Sequence, residues 1–98
     1  PVTLPRGREE SSHVYHLYVL RCSHRQDFLA HLKSAGILAG VHYPVPVHLQ
    51  PAYLGRLSLA TDMSVTESLA HEVVSLPMYP ELNESQLQQV VDAVNSWF

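Results

Sequence analysis

The fold of this chain depends first on residues 13–36, which read HVYHLYVLRCSHRQDFLAHLKSAG. The opening part, His13 to Leu20, is dense in β-branched and aromatic residues, which predicts a strand. Both of its alternating faces are largely apolar, so we expect this strand to lie mid-sheet or to be covered on both sides. Apolar residues then recur at helical spacing up to Gly36, a residue suited to a C-cap, and they predict a helix over Arg25 to Ala35.

Further elements follow toward the C-terminus. Ile37 to Tyr43 predicts a second strand, closed by Pro44, and Ser75 to Pro80 predicts a short extended piece. Three capping-box patterns mark helix starts: Ser23 with Gln26, Ser64 with Glu67, and Asn83 with Gln86. The final helix carries one apolar stripe: Leu87, Val90, Val91, Val94 and Phe98. This order predicts an α+β fold, in which a small antiparallel or mixed sheet is covered by helices on one face.

The chain has 98 residues, enough for one domain with a single core. Residues 1–12 mix prolines, a glycine and charges without a period. This composition predicts a connector, which we expect to be the only disordered part of the chain, so the folded domain should span 13–98.

Composition also excludes several classes of protein. One cysteine, Cys22, excludes an internal disulfide scaffold, and a net charge of −3 without a basic stripe argues against nucleic-acid binding. The longest apolar run, Val14 to Leu20, is too short to span a bilayer, and without a signal segment we expect a cytoplasmic protein.

Seven histidines raise the question of a metal site. No pair has the i, i+4 helical spacing of zinc ligands, and no acidic cluster lies beside any of them, so we predict no metal site. No serine lies in a glycine-flanked elbow, and Lys33, the single lysine, lies on the exposed side of a predicted helix. We therefore predict neither a catalytic residue nor a cofactor-binding residue in this chain.

The densest group of polar side chains lies in residues 42–53, which read HYPVPVHLQPAY. Three prolines stiffen the backbone here, so two histidines, two tyrosines and a glutamine lose little conformational entropy when they hold a ligand. His42 and Tyr43 follow a glycine at the end of a predicted strand, a common place for binding groups. The composition leaves two interpretations open, a binding loop and a rigid crossover loop whose aromatic side chains complete the core.

Read as a pattern, residues 37–50 resemble the Gly-Ile…His-Tyr-Pro-x-Pro-x-His-x-Gln signature of the DegT/DnrJ/StrS sugar aminotransferases. His13 to Val19 resembles the first small-domain strand of that family. Leu76 to Leu82, which reads LPMYPEL, resembles the family's element before its closing helix. The resemblance covers about His13 to Phe98, and three motifs in the right order make it specific. It implies a fold like that of the C-terminal domain of fold-type-I aminotransferases.

The resemblance implies part of a pyridoxal-phosphate enzyme that moves an amino group from an amino acid, usually glutamate, to a keto sugar attached to a nucleotide. What matches is the C-terminal small domain, whereas the cofactor lysine and most phosphate ligands of such enzymes lie in a large domain. Lys33 matches no cofactor-lysine motif, so we expect an excised domain that binds no cofactor and is inactive alone. The implied partners are the nucleotide sugar, the amino donor, the large domain and a second copy in a homodimer.

The resemblance also implies substrate-binding residues. His42 and Tyr43 match the family's His-Tyr pair, which lies near the substrate, and His48 matches the second motif histidine, which binds substrate or caps a turn. Ala39 departs from relatives that often have a polar residue there, so local substrate contacts stay open. An excised domain would also expose the apolar face meant for the large domain, which favours self-association.

Two alternative functions stay open at this point. One is a free-standing α+β interaction or small-ligand module that shares only the architecture. The other is the same domain from a pyridoxal-phosphate-dependent dehydratase or from a regulatory relative.

Overall fold

The computed structural model of this protein describes residues 2–59 and 61–98. Its elements, in chain order, are β1 (Val2–Thr3), β2 (Tyr18–Cys22), α1 (Arg25–Ser34), a 3-10 turn (Val47–Leu49), α2 (Ser64–Glu72), β3 (Val73–Leu76) and α3 (Glu84–Asn95). The three strands form one antiparallel sheet in the order β1-β2-β3. The predicted α+β fold with a small antiparallel sheet is therefore confirmed.

One face of the sheet carries the core. Leu20 of β2 lies opposite Val74 of β3, and both are fully buried. Because side chains alternate along a strand, Cys22 shares this face, where it meets Phe28 and Leu32 of α1. Val90 and Ala93 of α3 complete the cluster, together with Ile37. Helices α1 and α3 therefore cover this face of the sheet.

The other face of the sheet carries polar groups. Val19 lies opposite Ser75, and Arg21 lies opposite Val73. These residues alternate along the strands with the core pair Leu20 and Val74, so their side chains lie on the opposite face. Arg21 binds Glu72 at the end of α2, so this helix is tied to the polar side of the sheet. The chain at Gly40 also joins here, since it forms an isolated antiparallel bridge to Ser75 on the outer edge of β3.

Both predicted strands in the first half of the chain differ from the observed ones. The strand expected over His13 to Leu20 begins at Tyr18 and extends to Cys22, because β3 offers a partner ladder only from Tyr18 onward. Residues 13–16 are exposed instead. The strand expected over Ile37 to Tyr43 is reduced to the bridge at Gly40. Prolines beyond Tyr43 lack the N–H groups that would continue a ladder.

The predicted helices form, but only one of the three capping boxes does. Asn83 Oδ1 accepts from Gln86 N at 3.0 Å, and Gln86 Oε1 accepts from Asn83 N at 3.1 Å. Helix α1 has no side-chain cap at its start, so the Ser23 pattern is wrong there. Its end is as predicted, because Gly36 follows with φ of 79°, the left-handed conformation that glycine adopts freely.

The Ser64 capping box is also wrong. Met63 occupies the N-cap position of α2 and makes no side-chain cap hydrogen bond. Ser64 lies in the first turn, where its N–H donates to Asp62 Oδ1 at 2.9 Å. Glu67, the expected reciprocal partner, is used elsewhere, because its carboxylate lies 2.9 Å from His48. A competing tertiary contact has replaced the local one.

The expectation of an irregular connector at residues 1–12 is wrong at its start. Val2 lies opposite Cys22 and Thr3 lies opposite Arg21, so the first described residues form the edge strand β1. Val2 also packs against the core, which supplies the driving force for this pairing. Residues 4–12 hold no helix or strand. The boundary of the folded domain at 13 stays a prediction.

The chain is less compact than its length implies. It exposes 7496 Å², whereas a compact monomer of 11.0 kDa exposes about 5,600 Å². Its radius of gyration is 15.7 Å, against about 13 Å for a compact domain of this size. Of the helices in the described part of the chain, none has both the length and the apolar character needed to cross a membrane.

Candidate functional site

Residues 42–50, which we call the motif loop, begin where the chain leaves the sheet. Just before the loop, Gly40 N donates to Ser75 O at 2.9 Å, and Ser75 N donates to Gly40 O at 2.8 Å. This pair of backbone bonds fixes the start of the loop to the edge of β3. The peptide bond between His42 and Tyr43 is cis. The loop then runs over the polar side of the sheet toward α2.

His42 is held against the sheet by its ring. Its Nδ1 lies 2.9 Å from Ser75 Oγ, and Ser75 is only 3% exposed. The ring also lies close to Gly40, where an added Cβ would come within 2.7 Å of the His42 Cε1 atom. A glycine at this position is therefore what allows the imidazole to reach Ser75. His42 as a whole is exposed, while Nδ1 of its ring is anchored to a buried hydroxyl.

Tyr43 extends from the same place into solvent. Its ring meets the His42 ring edge to face, with centroids 5.4 Å apart and an interplanar angle of 89°. The side chain is 72% exposed, which is unusual for a residue with so much apolar surface. The structure therefore brings His42 and Tyr43 together, as two adjacent rings with polar atoms near solvent.

His48 has a different environment. It lies in the 3-10 turn at Val47–Leu49 and is only 8% exposed. Its Nε2 lies 2.9 Å from Glu67 Oε1. A carboxylate can only accept, so with Glu67 ionised this nitrogen donates. The contact ties the far end of the motif loop to α2, and His48 is not beside the exposed rings of His42 and Tyr43.

A cavity of about 300 Å³ lies between the motif loop and α2. Its lining combines polar groups with a mostly aliphatic floor: His42, Tyr43, Val45, Pro46, Val47, Gln50, Thr66, Leu69, Ala70 and Val73. The imidazole, the phenol, an amide and a hydroxyl supply hydrogen-bond donors and acceptors, but no nucleophile with an activating base. Such a lining suits the binding of a polar ligand rather than covalent chemistry on it.

Two residues that support the site were not recognised from the sequence as site residues. Ser75 contacts His42, yet it lies 33 positions further along the chain, between the apolar residues Val74 and Leu76. Its only signal was a small polar residue within a run that predicts a buried strand. Glu67 contacts His48, and its sequence context suggested a helix cap instead. Contacts over such separations are set by the sheet and by the packing of α2.

Two carboxylates near the ends of α2, Glu72 and Asp62, have a lowered pKa. Arg21 donates to Glu72 Oε2 through Nε at 2.9 Å and through Nη2 at 2.6 Å. These bonds to Arg21, with a further one from Ser68, hold the pKa of Glu72 below its ordinary value of 4.5. At the start of α2, hydrogen bonds from Ser64 likewise lower the pKa of Asp62.

Metal-ligating side chains and the single lysine of the chain are the groups that would hold a metal ion or form a Schiff base. Within residues 2–59 and 61–98, no three His, Cys, Asp or Glu side chains gather as a metal site requires. Lys33 lies exposed in the last turn of α1, on the layer that covers the core face. A lysine that forms a Schiff base needs a desolvated pocket or a neighbouring cation to lower its pKa, and its exposed position provides no such pocket.

Residues 1–95 match the DegT/DnrJ/EryC1/StrS aminotransferase family. The chain is 41% identical over 97 residues to dTDP-3-amino-3,4,6-trideoxy-alpha-D-glucose transaminase of Streptomyces venezuelae, covering 99% of this chain and 24% of the relative. It is 37% identical over 97 residues to a pleiotropic regulatory protein of Geobacillus stearothermophilus, covering 99% and 26%. The chain thus spans about a quarter of the length of the curated relatives it matches.

Solved structures give the same result for the fold. A crystal structure of S. venezuelae DesV in complex with a ketimine intermediate superposes with a TM-score of 0.90 at 40% identity, over 98% of this chain and 26% of that one. A DegT DnrJ EryC1 StrS aminotransferase from Brucella abortus superposes with a TM-score of 0.89 at 28% identity, with the same coverage. With the family match over nearly its whole length, this chain belongs to the DegT/DnrJ/EryC1/StrS aminotransferase family.

Proposed function

We propose that this chain is the C-terminal small domain of a longer pyridoxal-phosphate-dependent aminotransferase, which transfers an amino group from glutamate to a keto sugar of a nucleotide sugar. The family match over residues 1–95 carries this proposal. The transaminase of S. venezuelae named above acts on a dTDP-sugar by its name, and the shared region is a quarter of its length. The large exposed area of this chain supports the idea that further protein packs against it.

Within this function we assign substrate contact to the pair His42 and Tyr43. Both line the cavity beside α2, and both keep polar atoms near solvent. An imidazole N–H and a phenol O–H are donors suited to sugar hydroxyls and phosphate oxygens. The three prolines of segment 42–53 limit the entropy that this strip loses on binding. Part of the proposed binding site is therefore ordered before the substrate binds.

We assign His48 an indirect role. Its Nε2 is engaged by Glu67 and only 8% of the residue is exposed, so direct contact with substrate would require the loop to move. Its contact to α2 instead holds the loop that carries His42 and Tyr43. In this proposal, His48 contributes to binding by fixing the loop that presents the other two.

Pyridoxal phosphate would supply the electron sink for amino-group transfer. The residues of this chain do not fit that group, because its one lysine, Lys33, is exposed in the last turn of α1. We therefore place the cofactor in the remaining part of the longer polypeptide. The other proposed partners are the amino donor, that remaining part and a second copy of the enzyme. The buried, free Cys22 is compatible with the cytoplasmic setting we propose.

The kinetic test uses the longer polypeptide that contains this chain, with pyridoxal phosphate, a nucleotide keto sugar and glutamate. We expect His42→Phe and Tyr43→Phe each to raise KM for the nucleotide sugar about threefold to tenfold, as the loss of one hydrogen bond predicts. His71→Phe and Tyr15→Phe are the matched controls, since both residues are exposed and lie outside segment 42–53. Unchanged KM in both site variants would remove the assignment of substrate contact.

A regulatory function is the second candidate, because a relative with 37% identity is named a pleiotropic regulatory protein. The same assay separates the two. Turnover of a nucleotide keto sugar with glutamate supports the transferase. Absence of turnover in a polypeptide that still binds pyridoxal phosphate supports the regulator. A coding region that starts at this chain, with no large domain before it, would contradict both and favour a free-standing module.

A further inference from the structure

The hydrogen bond between Ser75 and His42 indicates which nitrogen of the imidazole carries the proton. Ser75 is 3% exposed, and among the described residues the hydrogen-bond partner of its hydroxyl is His42 Nδ1, at 2.9 Å. A buried hydroxyl that leaves its proton unpaired loses free energy, because no water replaces the missing acceptor. The hydroxyl therefore donates, and Nδ1 accepts.

From this geometry we propose that Ser75 is a positioning residue that selects the tautomer of His42. A neutral imidazole carries one proton, so an Nδ1 that accepts leaves the proton on Nε2. Nε2 has no hydrogen-bond partner in the described part of the chain, and His42 is exposed. The ring thus carries an N–H at Nε2 that no described residue occupies and that can donate to an oxygen of the ligand. This inference rests on the proposed function and adds the residue that orients its binding group.

Gly40 supports the same arrangement. The ring lies so close to this backbone that an added Cβ would come within 2.7 Å of His42 Cε1. Two backbone hydrogen bonds between Gly40 and Ser75 hold the chain next to the His42 ring against the strand that carries the Ser75 hydroxyl. Because the partner hydroxyl lies on β3 and the ring on the motif loop, the tautomer is set by the sheet edge rather than by the loop alone.

The other site histidine offers an internal comparison. His48 faces a carboxylate, which is an acceptor, so its Nε2–H points inward to Glu67. His42 faces a hydroxyl with Nδ1, so its proton lies on Nε2, which has no hydrogen-bond partner among the described residues. Both motif histidines then hold a proton on Nε2, which in His48 attaches the loop to α2 and in His42 is available to the ligand. A sugar hydroxyl or a phosphate oxygen is the acceptor class that fits the N–H of His42.

The test reads the tautomer directly, by long-range ¹H–¹⁵N correlation spectra of the imidazoles in mildly alkaline buffer. The protein is labelled as the 98-residue chain or within the longer polypeptide. In the wild type we expect His42 to show one tautomer, protonated at Nε2. In Ser75→Ala we expect both tautomers, whereas Ser75→Thr, which keeps the hydroxyl, restores the single one. Ser58→Ala, an exposed serine, is the control and leaves the pattern unchanged.

Two results would overturn the inference: protonation of His42 at Nδ1 in the wild type, or the same single tautomer in Ser75→Ala. Circular dichroism of each variant confirms that the fold is intact. In the longer enzyme, Ser75→Ala should raise KM for the nucleotide sugar about threefold to tenfold with kcat little changed, and Ser75→Thr should return KM toward wild type. If His42→Phe raises KM, a KM in Ser75→Ala equal to that of the wild type also counts against the positioning role of Ser75.

Failure here differs from failure of the proposed function. If His42→Phe raises KM but the tautomer does not respond to Ser75, only the role of Ser75 is lost. If the tautomer responds but His42→Phe leaves KM unchanged, the positioning contact exists and the ring does not serve substrate.

Discussion

At Gly40 the backbone passes directly under the imidazole of His42. The glycine has no positive φ, so the requirement for it is space and not backbone conformation. The same residue makes two backbone hydrogen bonds to Ser75, whose hydroxyl holds the ring from the side. Three residues from two parts of the chain thus define where one imidazole lies. Single substitutions at these positions should change the position of the His42 ring more than they change the overall fold.

Gly40→Ala tests this statement. The new methyl group would lie 2.7 Å from His42 Cε1, so the ring must move away and lose its bond to Ser75. We expect the free energy of unfolding to fall by about 1 kcal/mol, because a buried hydroxyl loses its partner. Urea denaturation measures this, and the His42 ring resonances should shift with it. Gly7→Ala is the control, since nothing lies within 4 Å of its added methyl. If Gly40→Ala and Gly7→Ala changed the free energy of unfolding and the His42 ring resonances equally, the role of Gly40 would be contradicted.

At the scale of elements, the motif loop is attached at both ends to different parts of the fold. Its start is fixed to β3 through Gly40 and Ser75, and its far end to α2 through His48 and Glu67. Pro44 and Pro46 favour an extended backbone from the start of the loop up to the 3-10 turn at Val47–Leu49. His42 and Tyr43 are therefore presented from an extended segment that is fixed on both sides.

Glu67→Ala removes the second attachment. It leaves the imidazole of His48 buried without a partner, which costs about 1 to 3 kcal/mol of unfolding free energy. We also expect proteases to cut the motif loop faster, because its far end is released. Glu67→Gln retains an acceptor oxygen and should lie close to the wild type. The pair is compared by urea denaturation and limited proteolysis, and a Glu67→Ala variant as stable as Glu67→Gln would rule out this anchoring role.

The pairing of Arg21 on β2 with Glu72 at the end of α2 gives a dependence on pH. Because the pKa of Glu72 is lower in the folded chain than its ordinary value of 4.5, the folded state favours the ionised form. Its contribution to stability is present above pH 4.5 and is lost as the pH falls through the lower folded pKa. Thermal unfolding should show Glu72→Gln less stable than wild type at neutral pH and equal to it in strong acid. A difference that persists unchanged in acid would contradict this linkage.

At the scale of the whole molecule, the excess of exposed surface is concentrated in part on α3. Leu87 and Val91 belong to its predicted apolar stripe, yet they are 51% and 41% exposed. They line an apolar groove of about 340 Å³ between α3 and the segment that follows β3. Of the stripe, Val90 alone is fully in the core. Apolar surface in this arrangement favours association.

We therefore expect the 98-residue chain to self-associate as its concentration rises, and sedimentation velocity measures this. Leu87→Glu with Val91→Glu should shift the weight-average mass toward the monomer, because charges in the groove oppose burial. Val65→Glu is the matched control, since Val65 is 72% exposed on α2 and lies outside the groove. A wild type that stays monomeric at high concentration, or a control that dissociates it equally, would contradict this role of the groove.

Helix positions were largely predictable from the sequence, and strand positions were not. The period of apolar residues and the pair Asn83 and Gln86 are local signals, and they placed α1 and the start of α3 within a residue. The end of α3 was predicted less well, because Phe98 of the predicted stripe lies beyond Asn95 and is exposed. The strand predicted at His13 begins five residues later, because a strand exists only where a partner ladder is available. The sequence predicted Glu67 as a capping-box residue, but in the structure its carboxylate contacts His48 instead.

The sequence by itself determined the family, the α+β class and the segment that carries His42, Tyr43 and His48, since these depend on residue order and local spacing. Tertiary structure alone decided which of the three is accessible. His48 became buried against Glu67, while the ring of His42 was set over Gly40 and against Ser75. The contacts with Glu67 and with Ser75 join residues 19 and 33 positions apart. Their geometry follows from the register of the sheet and the packing of α2, which no local pattern contains.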